Sequence, residues 1–313
     1  MRLGALELAD AARSSGHTEA DVIFATSLLS LPDLRAALPA SLRTRPAVLY
    51  MHENQAAYPD RSGAAGSATA EAGRDAHFAL TNLASVLTAD LVLWNSVWNR
   101  TSFQEGIRGV LRHAPDLCLD DLSARIEAGR VVWPPVEPPV PAPLRAERTD
   151  EAVRVVWPHR WEHDKGPDEL LEIADRLSER LNLRWTLLGE RFRAVPPELE
   201  RFGRRFAARI DHIGFEPDRA KYWAHLSRAD WVLSTARHEF FGVAVAEALL
   251  AGCLPWLPAR LSYPELIPES AHDLSPERPP SDPERVRRDV RAHLAPAVAP
   301  RAVERLDAML AGL

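Results

Sequence analysis

The chain has 313 residues, about twice a typical domain, so two domains are the first expectation. Its 46% hydrophobic and 26% charged residues match a folded globular protein and exclude disordered and fibrous classes. A formal net charge of −6 argues against a chain built mainly to coat nucleic acid, and no run approaches the roughly eighteen apolar residues of a membrane span.

The opening, Met1 to Leu8, reads as an amphipathic helix, and Glu7 and Asp10 interrupt any signal-peptide apolar region. From residue 21 onward, short apolar runs alternate with helix-period segments. In the first half the runs are Asp21 to Ala25, Ala47 to Met51, Leu91 to Trp94 and Val131 to Trp133. In the second they are Val153 to Trp157, Trp185 to Leu188, a weaker one at Ile210 to Gly214, Trp231 to Leu233 and Cys253 to Leu257. Several are apolar throughout, as strands covered on both faces are. Helical spacing over Asp168 to Leu181 and Val243 to Ala251 gives the βαβα order of parallel sheets.

Ten residues from Pro134 to Pro143 contain six prolines, which supply no sheet donors and favour a stiff connector. The expected organisation is therefore a first Rossmann-like domain over 1–137, a linker over 138–150, a second domain over 151–275 and a helical tail over 276–313. The tail reads as a helix pair packed across the domains. An Ala/Gly/Ser-rich stretch from Gly63 to Gly73 reads as a mobile loop, and Ser275 to Pro283 as a second loose stretch. Cys118 and Cys253 are too few for a disulfide framework and make no metal pair, which fits a cytoplasmic, reducing location. Arg201, Arg204, Arg205 and Arg209 share a helix side and read first as a solvated face.

Three segments at strand ends carry chemistry. Arg237 to Ala248 follows the strand at Trp231 and runs into a helix, placing Glu239 in the loop and Glu247 within the helix, with Phe240, Phe241 and Gly242 between. Ligands of open α/β sheets bind beyond the carboxyl ends of strands, and a helix N-terminus at Gly242 favours a phosphate. The plainer alternative makes Glu239 a helix cap and leaves Glu247 merely exposed. Pro158 to Gly166 puts Arg160 and Lys165 in a strand-to-helix loop, where both could neutralise a pyrophosphate or simply face water. His52, Glu53 and Asn54 emerge from the strand at Ala47, poised for a ligand or for a local turn. Asn95 and Ser96 end the next strand, where Ser96 also suits a helix N-cap. No dinucleotide fingerprint, P-loop, nucleophile elbow or zincin motif is present.

Arg160 with Lys165, followed by Glu239 and Glu247 with seven residues between them, resembles the retaining family-four glycosyltransferases of GT-B fold. The likeness is closer to one branch, the tRNA-queuosine alpha-mannosyltransferases. It is carried by His52-Glu53-Asn54-Gln55 with Tyr58-Pro59, by Leu93 to Asn99, and by Arg160 to Gly166. Leu188 to Phe192, Ser234 to Gly242 and Arg260 to Leu266 extend it, so that it covers most of the chain to about residue 268. The resemblance implies two Rossmann-like domains facing a cleft, the first on the acceptor side and the second binding the sugar nucleotide. It also implies GDP-mannose as donor and a queuosine-containing tRNA as acceptor.

Under that resemblance His52, Arg160, Lys165 and Glu239 are the catalytic set. Glu53, Asn54, Asn95, Ser96, Phe240, Phe241, Gly242 and Glu247 are substrate-binding. Arg160 and Lys165 hold the diphosphate, Glu239 the sugar and Glu247 the ribose. No metal or other cofactor is expected, and no membrane partner. Relatives in the branch open with a strand and a Gly-Gly-Ser-His turn that this sequence lacks, so the first domain is expected to be short of its first strand. Two other readings stay open: a glycosyltransferase with a different donor or acceptor, and a non-catalytic binder of sugar nucleotides.

Overall fold

Among the described residues the nine apolar runs fall on nine strands in two parallel sheets. The structure, a computed structural model, describes residues 2–16, 19–57, 68–113, 119–139, 150–191 and 195–313. It divides into two compact units, one of Met1–Pro134 with Ala302–Leu313, the other of Pro135–Arg301.

The first unit opens with helix α1 (Arg2–Ser14), followed by β1 (Ile23–Thr26), α2 (Leu31–Ala37) and α3 (Ala40–Arg43). It continues with β2 (Ala47–Met51), α4 (Ala68–Thr88), β3 (Leu91–Trp94), α5 (Val97–Val110), α6 (Leu119–Glu127) and β4 (Arg130–Val131). The sheet order is β1-β2-β3-β4, every neighbour parallel. Ala47, Val48, Leu49 and Met51 are all fully buried, the state expected of a run without alternation. Helix α4 already starts at Ala68, so residues 68–73 of the expected loose stretch are helical; its residues 63–67 lie outside the described residues.

The second unit contains β5 (Val153–Trp157), α7 (Pro167–Leu177), β6 (Leu183–Leu188), α8 (Pro197–Arg205) and β7 (Ile210–Gly214). Next come α9 (Arg219–Arg228), β8 (Trp231–Leu233), α10 (Val243–Ala251), β9 (Leu254–Trp256), α11 (Tyr263–Leu266) and α12 (Pro283–Leu294). The sheet order is β7-β6-β5-β8-β9. From β5 the chain winds outward first through β6 and β7, then on the other side through β8 and β9. The switch point, where open α/β sheets leave a crevice, therefore lies between β5 and β8. Trp157, Trp185, Leu170, Leu187 and Phe202 fill the core beneath it.

The tail does not stay together. Helix α12 packs on α10, α11 and β9 and belongs to the second unit. The final helix, α13 (Arg301–Leu310), lays Leu306, Met309 and Leu310 on Val48, Leu93 and Val132 of the first sheet. Most of the linker, residues 140–149, and Cys118 lie outside the described residues; Cys253 is buried, its thiol donating to Leu226 O at 3.3 Å. The basic cluster is engaged throughout: Arg201 meets Glu198 at 3.0 Å, Arg204 meets Glu200 at 3.9 Å, Arg205 meets Asp175 at 2.5 Å, and Arg209 donates to Ser178 O at 2.9 Å. Among the described residues no helix is long and apolar enough to cross a membrane.

Candidate active site

The loops after β5 and β8 meet at the switch point of the second sheet. Gly166 ends a short helical turn over His163–Lys165 and starts α7 in the left-handed conformation, at φ 65°. A Cβ there would come within 2.2 Å of Thr235 O, so the two loops touch backbone to backbone. Thr235 Oγ1 ties them further, donating to Lys165 O at 2.8 Å and accepting from Trp157 Nε1 at 2.9 Å.

This packing buries Lys165, which is only 6% exposed. Its Nζ donates to His238 O at 2.7 Å and lies 3.2 Å from Asp164 and 3.5 Å from Glu239. A buried ammonium needs such partners, because losing its hydration is costly. The result is a fixed positive charge in a poorly screened place. Burial, with Lys165 nearby, pushes the His238 imidazole down to about 4, and the same causes push His159 down to about 3. Both rings are neutral near pH 7, so Lys165 supplies the positive charge here. Arg160 stands on the exposed rim of the same loop and pairs with Glu162 at 3.3 Å.

Gly242, at φ 88°, is the N-cap residue of α10 and leaves the first-turn N–H groups of that helix without a side-chain cap. Glu239 does not cap the helix; its Oε1 accepts from Phe240 N at 3.2 Å. Phe240 and Phe241, 5% and 2% exposed, turn their rings into the protein, so their backbone is what they can present. Ser262 Oγ donates to Phe241 O at 3.0 Å, and Arg260 donates to Ala236 O and Thr235 O, both at 3.1 Å, holding the loop from behind.

Glu247 is buried, not merely exposed, at 6%. Its Oε2 accepts from Tyr222 OH at 2.7 Å, and its Oε1 accepts from the Arg219 guanidinium. Sequence reading missed both partners.

In the first unit, the loop after β2 presents His52 and Glu53, both half-buried. Ser27 Oγ accepts from Glu53 N at 3.3 Å and lies 3.0 Å from His52 Nδ1. The pattern that satisfies all three groups has Ser27 donating to Nδ1, with the ring proton on Nε2. The other residues read here as substrate-binding are turned inward. Asn54, fully buried, donates to Asn99 Oδ1 at 2.7 Å and Ser102 Oγ at 3.2 Å, and accepts from Ala57 N at 2.8 Å. Asn95 donates to His52 O at 2.7 Å and accepts from Asn99 Nδ2 at 2.8 Å. Ser96 caps α5 by accepting from Asn99 N at 2.9 Å. Asn54 and Asn95 brace the loop and Ser96 starts the helix after β3, since buried polar groups must find partners and an irregular loop offers unpaired backbone. Tyr58 and Pro59 lie outside the described residues.

The sequence profile of the tRNA-queuosine alpha-mannosyltransferase N-terminal domain matches residues 1–136. The tRNA-queuosine alpha-mannosyltransferase of Drosophila melanogaster is 36% identical over 259 residues, which is 79% of this chain. The chain belongs to the tRNA-queuosine alpha-mannosyltransferase family. The match spans 66% of the Drosophila protein's length.

Solved structures place the fold of this family member. Anabaena HepE, solved with UDP, superposes with a TM-score of 0.66 at 16% identity, covering 99% of this chain and 82% of its own. The α,α-trehalose-phosphate synthase of Burkholderia xenovorans, solved with glucose-6-phosphate, gives 0.68 at 13% identity, covering 99% and 77%. The two parallel-sheet units are those of a GT-B fold. Asn99 ends the family-like segment Leu93 to Asn99, one helical turn from Asn95, and that spacing could have flagged it. Arg219 and Tyr222 lie at the start of α9, after β7, where nothing local in the sequence marks them as partners of Glu247.

Proposed function

We propose that this family member is a retaining glycosyltransferase that moves mannose from GDP-mannose to the queuosine of a tRNA, in the cytoplasm. The observation that carries the reading is the convergence of Lys165, Glu239 and the N-terminus of α10 at one switch point, with Lys165 Nζ 3.5 Å from Glu239 Oε2. Family membership supports the mannosyl donor and the tRNA acceptor.

In this reading the donor diphosphate takes Lys165, Arg160 and the first-turn N–H groups of α10 as its partners. Glu239 accepts from hydroxyls of the sugar and Glu247 from those of the ribose. As the bond from the sugar to the phosphate breaks, negative charge collects on the departing GDP, and fixed cations already in place stabilise it without reorganising. The leaving phosphate oxygen takes the proton of the acceptor hydroxyl on the same face of the sugar, which yields retention. No pair of carboxylates about 5–5.5 Å apart, the arrangement of retaining glycosidases, is called for. We assign the charge stabilisation to Lys165, Arg160 and the helix end, and none of it to a metal ion. His52 and Glu53, the outward groups of the first-unit loop, are assigned to substrate hydroxyls.

Transfer of mannose from GDP-mannose to queuosine-containing tRNA is the test, with wild type beside Lys165→Ala and Glu239→Ala. Both variants should lose about 100-fold or more in turnover. Unchanged rates in both would remove this site. Thermal shifts with GDP-, UDP- and ADP-sugars check the donor base.

One observation favours a second reading with another acceptor. The net charge is −6 and the arginines at 201, 204, 205 and 209 are each engaged by an acidic group or a carbonyl, whereas tRNA binding draws on basic surface. Transfer to free queuosine in preference to the tRNA would select it.

A further inference from the structure

Glu247 arrives at the surface of the second unit already furnished with two donors. It is 6% exposed, and each carboxylate oxygen is engaged by a different group of α9: Oε1 by the Arg219 guanidinium, Oε2 by Tyr222 OH at 2.7 Å. Arg219 is itself held. Asp218 caps the start of α9, accepting from Ala220 N at 2.9 Å, and the guanidinium lies over the rings of Tyr222 and Trp223 at 5.1 Å and 5.4 Å. Its side chain nonetheless remains 58% exposed. A carboxylate accepts about four hydrogen bonds, two per oxygen. With one taken on each oxygen, about one acceptor position per oxygen remains. That is the pattern of a vicinal diol, whose adjacent hydroxyls can each donate to one oxygen.

We propose that Arg219 and Tyr222 are positioning residues that set Glu247 to receive a cis-diol, and so determine the preference of the site for ribonucleoside over deoxyribonucleoside diphosphates. The inference rests on the donor reading above and deepens it. Arg219 gives the buried carboxylate a charged partner in direct contact, which fixes the position of Oε1. Tyr222 fixes the plane of the carboxylate. Burial and the neighbouring Glu247 hold its phenol well above the ordinary range, so it remains a donor at any working pH. Without the two, Glu247 keeps its place in α10 but loses the single orientation that matches two hydroxyls at once.

Calorimetric titration of the full chain tests this with wild type, Arg219→Ala, Arg219→Lys and Tyr222→Phe. The probes are whichever of GDP, UDP and ADP binds wild type tightest, and its 2′-deoxy counterpart. Wild type should favour the ribonucleotide by about 10-fold or more, the worth of a hydrogen bond to a charged group. Arg219→Ala and Tyr222→Phe should compress that ratio to about 3-fold or less, with Arg219→Lys keeping most of it. A general loss of packing would weaken both nucleotides equally, and a ratio retained in both variants overturns the inference. If wild type binds none of the three diphosphates, the donor reading falls and takes this inference with it. Binding with an unmoved ratio removes this inference alone.

Discussion

The loops after β2 and after β8 occupy comparable places, each at the carboxyl end of a buried parallel strand, yet they are held by different means. The β2 loop is braced by neutral side chains. Asn54, Asn82, Asn95 and Asn99 interlock with Ser27 and Ser102, and Asn82 donates to Ser27 O at 2.7 Å while accepting from Gln55 N at 2.9 Å. The β8 loop is braced through its carbonyls, by Lys165, Arg260 and Ser262, with the left-handed Gly242 where it enters α10. Amides suit a scaffold because each both donates and accepts, so a closed network satisfies every member. Cations that hold a carbonyl also supply a field. The same atoms that fold the β8 loop are therefore available to stabilise a phosphate, whereas in the β2 loop folding and chemistry fall to different residues.

That contrast is most exposed at Lys165. Lys165→Ala removes the ammonium and leaves Asp164 and Glu239 without their shared partner. Turnover should fall about 100-fold or more, measured as single-turnover transfer with saturating donor. A loss below about tenfold would mean that the loop is held for its own sake and the charge serves no departing group.

The β2 loop should behave in the opposite way. Asn99 donates to Met51 O at 2.7 Å and Asn95 Oδ1 at 2.8 Å and accepts from Asn54, all in a buried setting. Asn99→Ala strands those groups and should cost about 2 kcal/mol or more of stability, read from the urea midpoint. His52→Ala, which breaks a single contact to Ser27 at a half-buried position, should cost less than about 1 kcal/mol. Its effect should appear in turnover instead. If His52→Ala unfolded the protein as readily as Asn99→Ala, the division between scaffold and site would fail.

Much of this was legible beforehand, and the reason is physical. Runs without alternation, such as Ala47 to Met51, read as strands covered on both faces, and the ladders of β2 with β1 and β3 lie there. Lys165 and Glu239 stood out as charges in loops at strand ends, and Glu247 as a charge within an otherwise apolar helix. Asn54, Asn95 and Ser96 also satisfy the chain's own polar groups, a role that a polar residue at a strand end fills equally well and that only coordinates reveal. Arg219 and Tyr222 were invisible for another reason. They reach Glu247 from a different helix, α9, 28 and 25 residues away in sequence, and no local period encodes that meeting. The return of α13 to the first sheet is of the same kind, since an amphipathic helix does not state which sheet it will cover.

A further effect separates the two units by pH. His159 and His238, 4% and 7% exposed, are both in the second unit, and among the described residues the first unit buries no histidine. Burial lowers them from the ordinary 6.5 to about 3 and about 4. In the unfolded chain they take up protons near 6.5, while the folded form refuses them until much lower pH. The unfolded state thus binds more protons as the solution is acidified, and stability must fall from about pH 6.5 down toward 4, with no contribution from these groups above that window. Between pH 6.5 and 5.5 each histidine should remove about 1 kcal/mol. Urea unfolding followed by tryptophan fluorescence reports mainly on the second unit, which holds Trp157, Trp161, Trp185, Trp223, Trp231 and Trp256. A midpoint that holds steady or rises on acidification would show that these rings are hydrated in solution, and the low-dielectric setting argued for Lys165 beside them would have to be given up.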